Sequence, residues 1–198
     1  MKKLSFLLVL SAMLGLSFTN PASEIVTMSV DTEESYITWR AYKVTGKHYG
    51  TVKLKSGNLE YTDGMLSGGT FVMDMTSLTV DDLEGNMADK LRGHLKSDDF
   101  FSVEKHPTAT FEITKVASRG KPGDYRITGN LTIKDYTNEI RFNAMMNEQD
   151  NMANGTAKIT LDRTNYDIRF RSGTFFQNLG DKTIYDEFDL EVNLVATK

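Results

Sequence analysis

The side chains best suited to proton transfer or metal binding in this chain are three histidines, His48, His94 and His106. Their spacing matches no zinc pattern such as His-Glu-x-x-His, and none has a partner ligand one turn on within an expected helix. Cysteine is absent, which removes disulfides, thiolate metal sites, cysteine nucleophiles and a lipid-modified N-terminal Cys. There is no Gly-x-Ser-x-Gly, and no serine stands beside a base. The carboxylates fall mostly on outward faces or in loops, so no glycosidase pair can be nominated. Asp74, in mid-strand, and Asp162-Arg163, at a strand end, are the exceptions. A turn clamp or ion pair is the plain reading of both, and a polar contact at a cavity mouth is the sharper one. Gly68-Gly69 precedes a strand and not a helix, so it is no phosphate loop. The formal charge is −4 and the localised basic feature is Lys2-Lys3, so neither nucleic acid nor an anionic membrane surface is an expected partner. No catalytic set, metal or cofactor is expected from these residues.

The elements that would position such a site read as strands. Ile37, Trp39 and Ala41 alternate with Tyr36, Thr38 and Arg40, the period of a half-buried strand. Gly46 and Gly50 bracket an expected turn or bulge, and Ser56-Gly57-Asn58 and Thr62-Asp63-Gly64 are further turn signals. Phe71, Met73 and Met75 share a face, and methionine suits either an irregular core or a pocket for a flexible apolar ligand. Ala109, Phe111 and Ile113 form one later face, and Ile127, Gly129, Leu131 and Ile133 form another. Ile140, Phe142 and Ala144 follow, then Ala157, Ile159 and Leu161, and finally Phe188 to Ala196. Residues 119–124 read as a hairpin loop, Lys134–Glu139 as a turn, and Asn147–Gly155 as the most polar loop. About eight strands result, at the spacing of an antiparallel barrel or sandwich. Closure is favoured because so long a meander would otherwise leave two exposed edges.

One helix interrupts the strands. Over Asp81 to Lys96, Leu83, Met87, Leu91 and Leu95 recur at intervals of four, with Met87, Leu91 and Leu95 as the core of the face. Asp81 and Asp82 suit its N-terminus, and Arg92 and Lys96 its end. The helix runs into Ser97-Asp98-Asp99-Phe100-Phe101, and Pro107 hands the chain to the next strand. At the other extreme, Met1–Thr19 pairs a basic start with an apolar run too short to span a membrane comfortably. The expectation is a signal peptide over residues 1–23, cleaved between Thr19 and Glu24, followed by one domain over 24–198 without stable membrane insertion.

These residues resemble the YceI-like family of exported lipid-binding proteins. The likeness runs from Val30 to Ala196, through Ser35-x-Ile37-x-Trp39 and Lys43-Val44-x-Gly46-x-His48-x-Gly50. It peaks at Leu91-x-Gly93-His94-Leu95-Lys96-Ser97-x-Asp99-Phe100-Phe101-x-Val103-Glu104-Lys105-x-Pro107-x-Ala109-x-Phe111. Gly129-x-Leu131-Thr132-Ile133 and Arg163-x-x-Tyr166 complete it. Where the family usually has His before the opening Ser, this chain has Glu34.

The resemblance implies an all-β, lipocalin-like antiparallel barrel of about eight strands with one amphipathic helix packed against it, enclosing an elongated apolar pocket. It implies a periplasmic, non-enzymatic protein that binds, transports or stores a polyisoprenoid or other long-chain amphiphile; a homodimer is left open. The expected ligand contacts are Trp39, Phe71, Met73, Met75, Leu91, Leu95, Phe100, Phe111, Leu131 and Phe142. A packed-barrel stress-response or partner scaffold is the alternative. A lipid-modifying enzyme would need Asp74 or a histidine facing the pocket with a perturbed pKa.

Overall fold

A computed structural model describes residues 23–149 and 151–198; the expected signal segment lies, but for Ser23, outside the described residues. Nine strands are present among the described residues. They are β1 (Ile25–Val30), β2 (Tyr36–Lys43), β3 (Gly46–Thr62), β4 (Met65–Asp74), β5 (Thr108–Ser118), β6 (Asp124–Ile133), β7 (Tyr136–Gln149), β8 (Met152–Asp162) and β9 (Ile184–Thr197). Each pairs antiparallel with its neighbours, and the β3–β4 and β2–β9 ladders close the ring.

Nine strands occupy eight positions because β1 and β2 run in line, both lying between β3 and β9. β1 pairs with Asn58–Thr62 of β3 and with the end of β9, and β2 continues along Gly46–Lys53. The break between them is a tight turn. Asp31 Oδ1 accepts from the Glu33 and Glu34 amides, at 2.9 and 3.1 Å. Ser35 Oγ both donates to the Val195 carbonyl and accepts from the Val195 amide, so buried polar groups stay paired where the ladder stops.

In three strands the apolar side chains change phase, and each change coincides with a bulge. Leu54 and Leu59 both point inward although strict alternation would put residues five positions apart on opposite faces, and the β3–β4 register shifts between Leu54 and Ser56. The expected turn at Ser56-Gly57-Asn58 is thus a bulge inside β3: the extra residue restores the inward face. Leu66 and Phe71 are reconciled by the shift beside Ser67, and Ile113 and Val116 by the one at Thr114. Two other expected turns are displaced. Lys47-His48-Tyr49 lies in β3, with the turn at Val44-Thr45, and strand pairing continues through most of Asn147–Gly155, as Gln149 pairs with Met152. The turn after β6 shortens likewise to Lys134-Asp135.

The helix, α1 (Gly85–Lys96), starts later than the acidic pair suggested. It has no acidic residue in its first turn, because Asp82 is used elsewhere: its carboxylate accepts from the Tyr49 amide at 3.0 Å and lies 2.7 Å from His48 Nδ1. Its buried face is Ala88 and Leu95 with Leu91 partly covered, whereas Met87, one position round the helix, is 66% exposed. Beyond α1 the chain folds back on itself. The Phe101 and Val103 amides donate to the carbonyls of Leu95 and Lys96, Ser102 takes a positive φ and donates through Oγ to Asp98, and Lys105 Nζ reaches Asp98 at 2.6 Å. The Met75 amide then bonds the Pro107 carbonyl at 3.0 Å. Residues 97–107 therefore clasp the helix against one end of the barrel.

Gly129 marks where the β5–β6 wall is tightest: a Cβ there would meet the Glu112 carbonyl and stand 2.5 Å from Phe111 Cζ. Gly129→Ala should lower the midpoint of denaturant unfolding by the equivalent of about 1–3 kcal/mol. A second expectation concerns pH. Burial opposes ionisation of Asp82, but the Tyr49 amide and His48 outweigh it, holding its carboxyl below the ordinary 3.8. The unfolded chain therefore takes up this proton first as pH falls. The stabilisation is full above the ordinary carboxylate pKa and is lost as pH drops through the depressed one. Chemical denaturation between pH 5 and 3 should show a steeper loss for the wild type than for Asp82→Asn.

Candidate functional site

Inward side chains of all eight barrel positions leave two apolar chambers, each about 120 Å³. The one far from the helix is walled by Phe71, Phe111 and Phe142 among aliphatic residues. These rings form a ladder, with centroids 6.3 Å apart for Phe71 and Phe111 and 5.6 Å for Phe111 and Phe142. The helix-end chamber is walled by Trp39, Met75, Leu95, Phe100 and Phe101. Ile37, Met73, Leu131 and Leu190 line both, so the chambers meet end to end at a neck made of those four side chains.

Nine of the ten expected contact residues thus lie on chamber walls, Met73 and Leu131 on both. Leu91 does not: it packs against the core from α1 but lines neither chamber, because Leu95, one turn on, takes the place nearest the barrel. Ile37 and Leu190 were readable as inward strand residues, but their place at the neck follows from the ring's register.

The helix end is held by polar groups around an apolar plug. Trp39 Nε1 donates to the Thr79 carbonyl at 3.1 Å. Gly50 permits this approach, since a Cβ there would overlap that carbonyl and come within 2.9 Å of the indole nitrogen. His94 lies edge-on to Phe100 and Phe170, with centroids at 4.9 and 4.6 Å, and its Nε2 is 3.0 Å from Asp99. Arg163 is buried. It donates to the carbonyls of Tyr185, Ile168 and Ile184 at 2.7–3.0 Å and to Asp186 at 3.1 Å. Burial presses the guanidinium pKa down, with Asp186 opposing. Its role is to fasten the 163–185 segment across the barrel end.

Among the described residues, no carboxylate or imidazole lines either chamber. Asp74 caps a 3-10 turn instead, accepting from the Thr76 amide and hydroxyl at 2.9 and 2.6 Å, and Asp162 does the same for Thr164. His48, His94 and His106 each face an aspartate outside the chambers. The turn-clamp reading of Asp74 and Asp162 is the one the geometry shows.

The profile of the YceI-like domain matches residues 28–196. The chain belongs to the YceI-like family. A UPF0312 protein of Vibrio cholerae is 27% identical over 148 residues, 73% of this chain and 74% of that one. One from Azotobacter vinelandii is 34% identical over 92 residues, 46% and 45% of the two chains. The match to the Pseudomonas paraeruginosa relative, 47% identical, spans 29% of each chain. The YceI-like fold is shared with BcnA of Burkholderia cenocepacia at a TM-score of 0.69, 19% identity, and coverage of 85% and 99%. It is shared too with a polyisoprenoid-binding domain from Saccharophagus degradans, at 0.61, 13% identity, and coverage of 86% and 97%.

In this YceI-like barrel the Arg163 network is the main polar commitment inside the core. Arg163→Ala strands buried carbonyls and should destabilise by about 3–5 kcal/mol, read by thermal or denaturant unfolding. Lys158→Ala, on an exposed surface pair, should change stability by no more than about 0.5 kcal/mol.

Proposed function

We propose that this protein binds and carries a long apolar isoprenoid or similar amphiphile in the barrel, outside the cytoplasm and without transforming it. The supporting observation is the pair of end-to-end chambers walled mainly by apolar side chains, with no carboxylate or imidazole among the described residues that line them, and with Arg163, at the helix end, bonded to three carbonyls and Asp186. The family match and the polyisoprenoid-binding description of the Saccharophagus degradans domain favour the same reading. The basic and apolar character of residues 1–23 supports export, and no helix among the described residues is long and apolar enough to cross a membrane.

Magnitudes are adequate. A dry apolar cavity of about 150 Å³ accommodates one benzene, so two chambers of about 120 Å³ take on the order of ten carbons without wall movement. At roughly 0.8 kcal/mol per buried CH₂ that is about 8 kcal/mol before ordering costs, near what micromolar binding requires. A longer chain needs the neck to yield, and Met73 is the wall residue most able to move.

Mass spectrometry of an organic extract of protein purified without detergent from its own host should reveal a discrete isoprenoid or long-chain species; a clean extract argues for the packed scaffold. Trp39 is the sole tryptophan and sits in the wall, so retinol should quench its emission by energy transfer as it binds. Met73→Ala widens the neck and should strengthen retinol binding several-fold. In a packed core the same change would cost about 2–5 kcal/mol and leave uptake absent.

A further inference from the structure

The ring of strands is not zipped equally on every side. β7 and β8 pair only from Ala144 opposite Ala157 to Gln149 opposite Met152. Over Tyr136–Asn143 β7 pairs with β6 alone, and over Lys158–Asp162 β8 pairs with β9 alone. The two strands diverge toward the helix end, and a groove of about 260 Å³ lies over the split, lined by Ile140, Arg141, Ile159, Asp162, Asn165 and Tyr166 among others. Ile140 and Ile159 also wall the far chamber, so these two side chains form a boundary that groove and chamber share. Both are only partly buried.

A second observation points to a ligand there. Tyr166 is 1% exposed, lines the groove, and its hydroxyl has no hydrogen-bond partner among the described residues. An orphaned buried hydroxyl is costly to keep and is a ready donor to an oxygen brought in from outside. Burial pushes its pKa up to about 12, so it remains a donor at every physiological pH. The charges near it favour a neutral partner. Two carboxylates, Glu139 and Asp162, and one cation, Arg141, line the groove; Arg141 is 3.7 Å from Glu139 and also donates through Nε to Thr128 on the β6 side. The β4–β5 ladder also stops short, after Thr70 opposite Glu112. There, however, the wall is sealed by Leu66, 5% exposed.

We propose that the half-zipped seam between β7 and β8 is the doorway to the barrel cavity and holds the uncharged, oxygen-bearing head of the amphiphile, with the Tyr166 hydroxyl as its hydrogen-bond donor. This rests on the carrier reading above. It adds where the chain enters and what kind of head group stays at the surface. Three side-chain ties cross the helix end of the split: Asn138 Nδ2 to the Asn165 carbonyl at 2.9 Å, Tyr136 Oη to Asp167 at 3.2 Å, and Lys134 Nζ to the Asp167 carbonyl at 3.2 Å. They set how far the seam opens.

The test measures retinol association and dissociation by Trp39 quenching. The cysteine-free chain allows a clean lock, Asn143→Cys with Lys158→Cys, at the first position beyond the last paired residues. Oxidation should slow association about tenfold or more, with recovery on reduction. Asn138→Ala with Tyr136→Phe cuts two ties and should raise association and dissociation rates several-fold. Tyr166→Phe should weaken retinol about three- to tenfold, the worth of one neutral hydrogen bond, without weakening phytane, which has no head group and is read by its displacement of retinol, and without lowering the melting temperature. Retinyl phosphate should associate more slowly than retinol. If the oxidised lock and the loosened variant both bind at the wild-type rate, or Tyr166→Phe weakens phytane as much as retinol, the doorway is elsewhere and the proposal is overturned while the carrier reading stands. If the wild type takes up neither probe, the carrier reading fails and this inference with it.

Discussion

A closed ring of antiparallel strands can exclude water only if every strand keeps its apolar side chains on the concave face along its whole length, while side chains alternate strictly by two. That requirement governs much of the rest of the molecule. It explains why the phase changes in β3, β4 and β5 coincide with bulges. It also explains why the position between β3 and β9 is filled by two strands in line and stitched at Ser35. The cavity is a by-product of the same rule: eight inward faces meet, and where their side chains do not interdigitate, space is left.

The ends of the ring need a different solution, because backbone pairing cannot cap them. At one end the chain leaves the sheet twice, through residues 75–107 and 163–183. Both excursions bring apolar side chains over the opening while their polar groups are bonded to carbonyls nearby. Arg163 and the Trp39–Thr79 contact are the fixed points. The density of distinctive residues between Lys90 and Pro107 reflects this clasp: His94 pairs with Asp99, Asp98 with Ser102 and Lys105, and His106 with Asp135.

How much of this could be read in the residues varied with the kind of signal. Inward faces such as Phe71-x-Met73 and Phe188 to Ala196 were legible because period-two alternation is nearly unambiguous. Bulges were not, since Ser56-Gly57-Asn58 meets the needs of a turn and of a bulge equally well. β1 carries its own alternation, Val26, Met28 and Val30, but it is short and stands just after the expected cleavage region, where no turn signal marks it off as a strand. The helix face was read one residue off, as Met87 in place of Ala88, because apolar character was counted and the small residue that allows close approach was not. The neck and the seam were out of reach. Both depend on which residues the register sets side by side, as it sets Ile37 beside Val192 and Trp39 beside Leu190 on β2 and β9, and on how far each ladder runs.

The shortened β7–β8 ladder carries a liability of its own. Two bare strand edges are a template on which a stranger's β-strand can grow, the first step of edge-to-edge aggregation. Here the template is awkward to use: Glu139, Arg141 and Lys158 stand exposed along it, and the edges splay apart instead of presenting one flat row. A guest whose polar end lay in the split would cover the same backbone groups, so filling the seam and shielding the edge would be one event.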